Sequence, residues 1–97
     1  MPGIQTTVAT ANASRYLQQL CKHFAHKVEV SFDAQTGKVD FPFGDCRMWA
    51  DDGALRIECV SETQETLART HFVVHDHLTR FSWREKPDIV WEPKVQA

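Results

Sequence analysis

The sequence predicts a two-layer α+β sandwich in which two helices pack on one face of an antiparallel sheet, in the order β-α-β-β-β-β-α. Three observations carry this. Four successive segments within residues 27–60 alternate apolar and polar side chains with a period of two. Segments 12–26 and 61–84 instead carry apolar stripes at helical spacing. The separators DAQTG, FGD and DDG are turn chemistry.

Residues 4–9, IQTTVA, are rich in β-branched side chains and form the first expected strand. Helix 1 is expected over 12–26, starting near Asn12 or Ser14, both good N-caps. Ala13, Leu17, Leu20, Cys21 and Phe24 make its inner stripe, with Tyr16 at the edge. The meander pairs inward Val28, Val30, Phe32, Val39, Phe41, Phe43, Cys46, Met48, Ala50, Leu55, Ile57 and Cys59 with an outward polar set. Pro42 cannot donate to a ladder, so an edge or a bulge is expected there. Helix 2 is expected over 61–84, with Ser61 as N-cap and Gln64 completing a capping box. Leu67, His71, Val74, Leu78 and Phe81 form its inner stripe, and Pro87 follows its end. Residues 85–97 are a C-terminal tail, in which DIVWEP is either a last short strand or a cover for the core.

A length of 97 residues corresponds to one domain. Its 11 basic and 13 acidic side chains produce no strong field toward nucleic acid or an anionic membrane. No apolar run approaches the roughly 20 residues of a membrane span. The start, MPGIQTTVAT, lacks the basic and apolar regions of a secretory signal, so a cytoplasmic location is expected. Cys21, Cys46 and Cys59 form no C-x-x-C pair and fall on apolar positions, which predicts reduced, buried thiols.

All 5 histidines lie in CKHFAH (21–26) and HFVVHDH (71–77). On an intact helix Cys21 and His23 point about 160° apart and cannot share a metal ion. His23 and His26 lie on one outer flank. His71 and His75 are four apart on one side, a spacing that suits a metal, although Phe72 stands where H-E-x-x-H has glutamate. The competing reading is a half-buried, hydrogen-bonded His71 among solvated neighbours. No nucleophilic Cys–His pair, serine elbow, phosphate loop or dinucleotide glycine pattern is present, so catalytic residues and cofactors are expected to be none.

On the outer sheet face, Lys27, Glu29, Ser31, Lys38, Asp40, Arg47, Trp49, Arg56 and Glu58 mix both charges around one tryptophan. The element order is that of the repeated half of the TATA-binding protein. That protein's DNA-binding saddle needs apolar wedges and a positive groove, which this face lacks, and no nucleic acid partner is expected. Trp49 is either part of a solvated face or an anchor for a partner. Phe72 and Trp83 point away from the inner stripe of helix 2. They mark a contact surface, for a protein partner or a homodimer, or a place covered by the tail and Trp91.

The segments TATANASRYLQQLCKHFAHKVEV, FPFGDCRMWADDGALRIECV and VVHDHLTRFSWREKPDIVWE resemble a small bacterial family of uncharacterised proteins, domain of unknown function 2218. The resemblance runs from about residue 6 to residue 92, strongest in CKHFAHK and HLTRFSWRE. It brings no established activity. Related segments accompany siderophore-interacting flavin reductases, which implies a link to iron acquisition. The family pattern picks out His23, His26, Lys27, His77, Arg80 and Phe81. Combined with the helical wheel, this places His23, His77 and Arg80 along one polar groove between the helices, suited to a carboxylate or a ferric siderophore. The expected function is therefore a non-catalytic accessory module that binds a small anionic ligand or a protein partner. The alternatives are a metal- or haem-binding protein using these histidines, with His71 and His75 as the metal pair, and a small enzyme without a visible constellation.

Overall fold

A computed structural model describes residues 1–94; the last part of the expected tail, 95–97, lies outside the described residues. The elements are β1 (Gly3–Ala9), α1 (Ala13–Phe24), β2 (Glu29–Phe32), β3 (Thr36–Phe41), β4 (Gly44–Ala50), β5 (Ala54–Val60), α2 (Gln64–Phe81) and β6 (Glu92–Pro93). The strands form one six-stranded sheet in the order β2-β3-β4-β5-β1-β6, with every neighbouring pair antiparallel. This is the expected α+β architecture with one strand added from the tail. Among the described residues no helix is long and apolar enough to cross a membrane.

The register explains why one face is buried. Val39, Cys46 and Cys59 align across β3, β4 and β5, and Met48 lies opposite Ile57. Val8 lies opposite Leu55 on β1. All of these are fully buried. Helix α1 covers them with Leu17, Leu20 and Cys21, and α2 with Val74 and Leu78. The three cysteines are free and buried, as expected. Burial pushes the Cys21 thiol up to about 11, so none of the chemistry of an accessible thiolate is on offer there.

Two glycines set close approaches. A Cβ at Gly37 on β3 would lie 2.8 Å from Cys21 Sγ, so α1 sits directly on the strand. A Cβ at Gly44 would run into Ser61 Oγ and Thr70 Oγ1. Those hydroxyls share a buried hydrogen bond of 3.0 Å that ties the β5–α2 loop to α2.

Several boundaries differ from the sequence reading, each for a local reason. Ser61 is buried by its bond to Thr70, so Thr63 caps α2 instead. Thr63 accepts from the Thr66 N–H, and the Thr66 hydroxyl accepts from the Thr63 N–H, with threonine doing what Gln64 was expected to do. Thr70, not His71, is the fully buried residue of that turn. Helix α2 stops at Phe81, short of Arg84, where the Ser82 N–H and hydroxyl both donate to the Leu78 carbonyl. Lys86 then adopts φ 49°, a left-handed conformation that turns the chain back toward β1. Helix α1 is likewise shorter than expected, ending at Phe24. Its Asn12 makes no side-chain cap; the amide donates instead to Glu85 Oε1 at 3.3 Å.

Pro42 and Phe43 form the two-residue turn between β3 and β4, with Phe41 opposite Gly44. Neither an edge nor a bulge is needed, and Phe43 is not an inward strand residue. Phe32, expected inside, lies at the end of the edge strand β2 and is 37% exposed. Asp33 and Asp51 close the other hairpins, each accepting two backbone N–H groups through one carboxylate oxygen.

The tail is both strand and cover. Lys94 N–H donates to the Gly3 carbonyl, and the Thr6 hydroxyl donates to the Val90 carbonyl. Lys94 Nζ reaches Glu58 Oε2 at 2.7 Å while Arg56 holds Oε1. Glu58, expected on a solvated face, is therefore buried.

Two stability predictions follow from these contacts. Gly44→Ala forces a methyl against Ser61 and Thr70 and is expected to cost about 2 kcal/mol in urea unfolding. Glu58→Gln is expected to cost about 1 kcal/mol near neutral pH, since both cations keep contact with water. The Lys94 hydrogen bond, helped by Arg56, holds the Glu58 carboxyl below its ordinary 4.5. Its contribution is complete above that ordinary value and disappears as pH falls through the lower folded value. The difference between parent and variant should shrink to nothing in acid unfolding series; a constant difference down to low pH contradicts the ion-pair origin.

Candidate functional site

Helices α1 and α2 lie side by side on the sheet, and their seam brings the two histidine stretches together. His23, in the last turn of α1, faces His77 of α2 with ring centroids 4.7 Å apart. His77 Nδ1 lies 2.7 Å from the Val73 carbonyl. A carbonyl can only accept, so Nδ1 carries a proton. Burial lowers the His23 pKa, with the nearby charges of His77, His26, Lys27 and Arg80 adding to the effect.

An aromatic chain continues from this pair into the sheet. Phe24 stands edge-on to His77 and to Phe41, each at 5.0 Å. Phe41 stacks on Phe43 at 5.1 Å, and the Arg69 guanidinium lies 4.5 Å from the Phe43 ring. Beside this chain is a groove of about 530 Å³. Phe24, Val28, Phe41, Phe43 and Val73 make its walls, and His23, His26, Lys27 and His77 also line it. The expected residues His23, His26, Lys27 and His77 thus converge.

Arg80 does not join them in the groove. It pairs with Asp76 at 3.1 Å, one helical turn away, and lines a different cavity with Arg15, Arg84 and Trp83. Phe81 separates the two: its ring stands edge-on to His23 at 5.8 Å while the residue also lines the arginine cavity.

His71 and His75 are engaged by the tail. Their rings are perpendicular with centroids 5.9 Å apart. Trp91 lies 4.8 Å from the His71 ring and donates its indole N–H to His75 Nδ1 at 3.0 Å. Burial, with His75 second, lowers the His71 pKa. Among the described residues no group of three or more His, Cys, Asp or Glu side chains is placed to hold a metal ion. Trp91 thus covers the histidines and leaves Phe72 69% and Trp83 61% exposed. Trp49 is half-buried, with Arg56 placed 5.1 Å from its ring.

The apolar walls were missed in the sequence because Phe41, Pro42 and Phe43 read as strand alternation. A Pro-Phe turn flanked by aromatics was the available signal.

The comparisons place this geometry in a family. No curated protein matches the chain. Matching solved structures include the NMR structure of PA4090 from Pseudomonas aeruginosa. It is 33% identical, with a TM-score of 0.82 over 99% of this chain and 100% of that one. The family model described as "Uncharacterized protein conserved in bacteria", domain of unknown function 2218, matches residues 5–92, and the chain belongs to that family.

Proposed function

We propose that this protein is a binding module for a small amphipathic carboxylate, with the groove at the α1–α2 seam as its site. The observation that carries the reading is the pairing of an aromatic-walled trough of about 530 Å³ with His26 and Lys27 along it. An apolar tail lies against Phe24, Phe41, Phe43 and Val73, and its carboxylate meets the Lys27 ammonium and the histidine N–H groups. The small number of polar groups in an apolar pocket is the usual arrangement of a ligand site.

Octanoate is the probe and octanol its neutral counterpart. Octanoate is expected to bind saturably and to shift the Val73 methyl and His77 ring resonances, with octanol weaker. Val73→Trp fills the trough and should weaken octanoate at least about tenfold, or about 1.4 kcal/mol. Lys27→Ala should weaken octanoate about threefold, as fits an exposed charge, and leave octanol unchanged. Non-saturable shifts, or equal affinity in Val73→Trp, overturn the reading.

A further inference from the structure

On the other side of Phe81 lies a cavity of about 600 Å³, larger than the histidine groove and independent of the reading given to it. It is formed by the outer side of α1 and the segment that ends α2. Three guanidinium groups line it: Arg15, Arg80 and Arg84. Arg80 is tied to Asp76. Among the described ion pairs, Arg15 and Arg84 have no carboxylate partner. Glu85, the acid of the cavity, is already engaged. Its Oε1 accepts from the Tyr16 hydroxyl at 2.6 Å, the Thr10 hydroxyl at 2.8 Å and the Asn12 amide at 3.3 Å. The cavity therefore offers two guanidinium forks with no carboxylate in ion-pair contact among the described residues, while the Glu85 carboxylate in its wall keeps its charge and is held by neutral donors.

Two further features point to the shape of what they would hold. Trp83 lines the cavity and is 61% exposed, unusual for a tryptophan with no neighbour from another element over its ring. The Arg84 guanidinium lies over it, 5.0 Å from the ring centroid. Gln19, also in the lining, has a buried side-chain oxygen without a hydrogen-bond partner among the described residues. A buried acceptor left unpaired costs free energy and is normally satisfied by a donor. An exposed indole and two guanidinium groups without a carboxylate partner, one of them over that indole, are thus gathered in one hollow with Gln19 in its wall.

We propose that this cavity is a second binding site, for a small aromatic phosphate. The ring stacks on Trp83. The phosphate takes the planar forks of Arg15 and Arg84, which match its oxygens two at a time. Lysine-like point charges would serve any anion, whereas paired guanidinium groups beside an indole select an anion attached to a ring.

Adenosine monophosphate is the probe, with adenosine and inorganic phosphate as its two halves, followed in amide and indole NMR spectra of the whole chain. The monophosphate is expected to bind saturably and to shift the Trp83 indole and the Gln19 side-chain amide. Each half should bind at least about tenfold more weakly. Arg15→Gln and Arg84→Gln are exposed changes that leave the fold intact, as their unchanged amide spectra should report. Each is expected to weaken the monophosphate about tenfold, the loss of one charge-assisted contact. Trp83→Leu should erase the preference for the monophosphate over inorganic phosphate. The proposal is overturned by an absence of saturable binding at millimolar probe, by unchanged affinity in both arginine variants, or by inorganic phosphate matching the monophosphate. Shifts confined to His23 and His77 also overturn it and move the ligand to the other groove.

Discussion

A single apolar sheet face that neither helix can cover alone governs this molecule. Val8, Val39, Cys46, Met48, Leu55, Ile57 and Cys59 are fully buried on that face. An antiparallel sheet with one apolar side must bury it against another layer. Helix α1 contacts β2 through β5, and α2 contacts β4, β5 and β1, so the two lie next to each other along a shared seam. Gly37 fixes how low α1 can ride, because a side chain there would collide with Cys21. The height and spacing of the helices then determine which side chains meet across the seam.

Both proposed sites are consequences of that seam. On one side His23 meets His77 above an aromatic wall carried partly by the β3–β4 turn. On the other, the end of α2 and the turn after it bring Arg80, Trp83 and Arg84 against Arg15 and Gln19 of α1. Glu85 anchors this second side. Its carboxylate gathers donors from Thr10, Asn12 and Tyr16, and those same hydrogen bonds hold its pKa below the ordinary glutamate value, Tyr16 contributing most. The anchor lets the chain leave α2 and run back along β1, where Trp91 covers His71 and His75 and Lys94 reaches Glu58. The strap therefore half-buries one histidine pair and leaves the other in the groove.

Periodicity exposed the sheet, both helices and most inward residues, with Phe32, Phe43 and His71 as exceptions, because a period of two and a period of 3.6 leave separate marks on a sequence. The histidine flank of the groove was also legible, since His23 and His77 occupy corresponding wheel positions and the family resemblance picks them out. What stayed hidden depends on contacts between distant residues. Ser61 looks like a cap until Thr70 claims its hydroxyl, and Asn12 looks like a cap until Glu85 does. Arg80 lies three residues beyond His77 on α2, an offset of roughly 60° around the helix that leaves it in a different hollow, with Phe81 between the two. The cavity of Arg15, Gln19, Trp83 and Arg84 has no sequence signature, because its residues lie on two elements that meet only after the sheet face is covered.

The most direct test of this account is a long-range proton–nitrogen histidine spectrum near neutral pH, combined with ring-to-ring NOE measurements. The seam geometry predicts a protonated Nδ1 on His77, with NOEs from its ring to the rings of His23 and Phe24. It predicts the opposite tautomer for His75, whose Nδ1 accepts the Trp91 indole N–H. An unprotonated Nδ1 on His77 with no NOE to His23 would contradict the packing of α1 against α2 on which both sites depend.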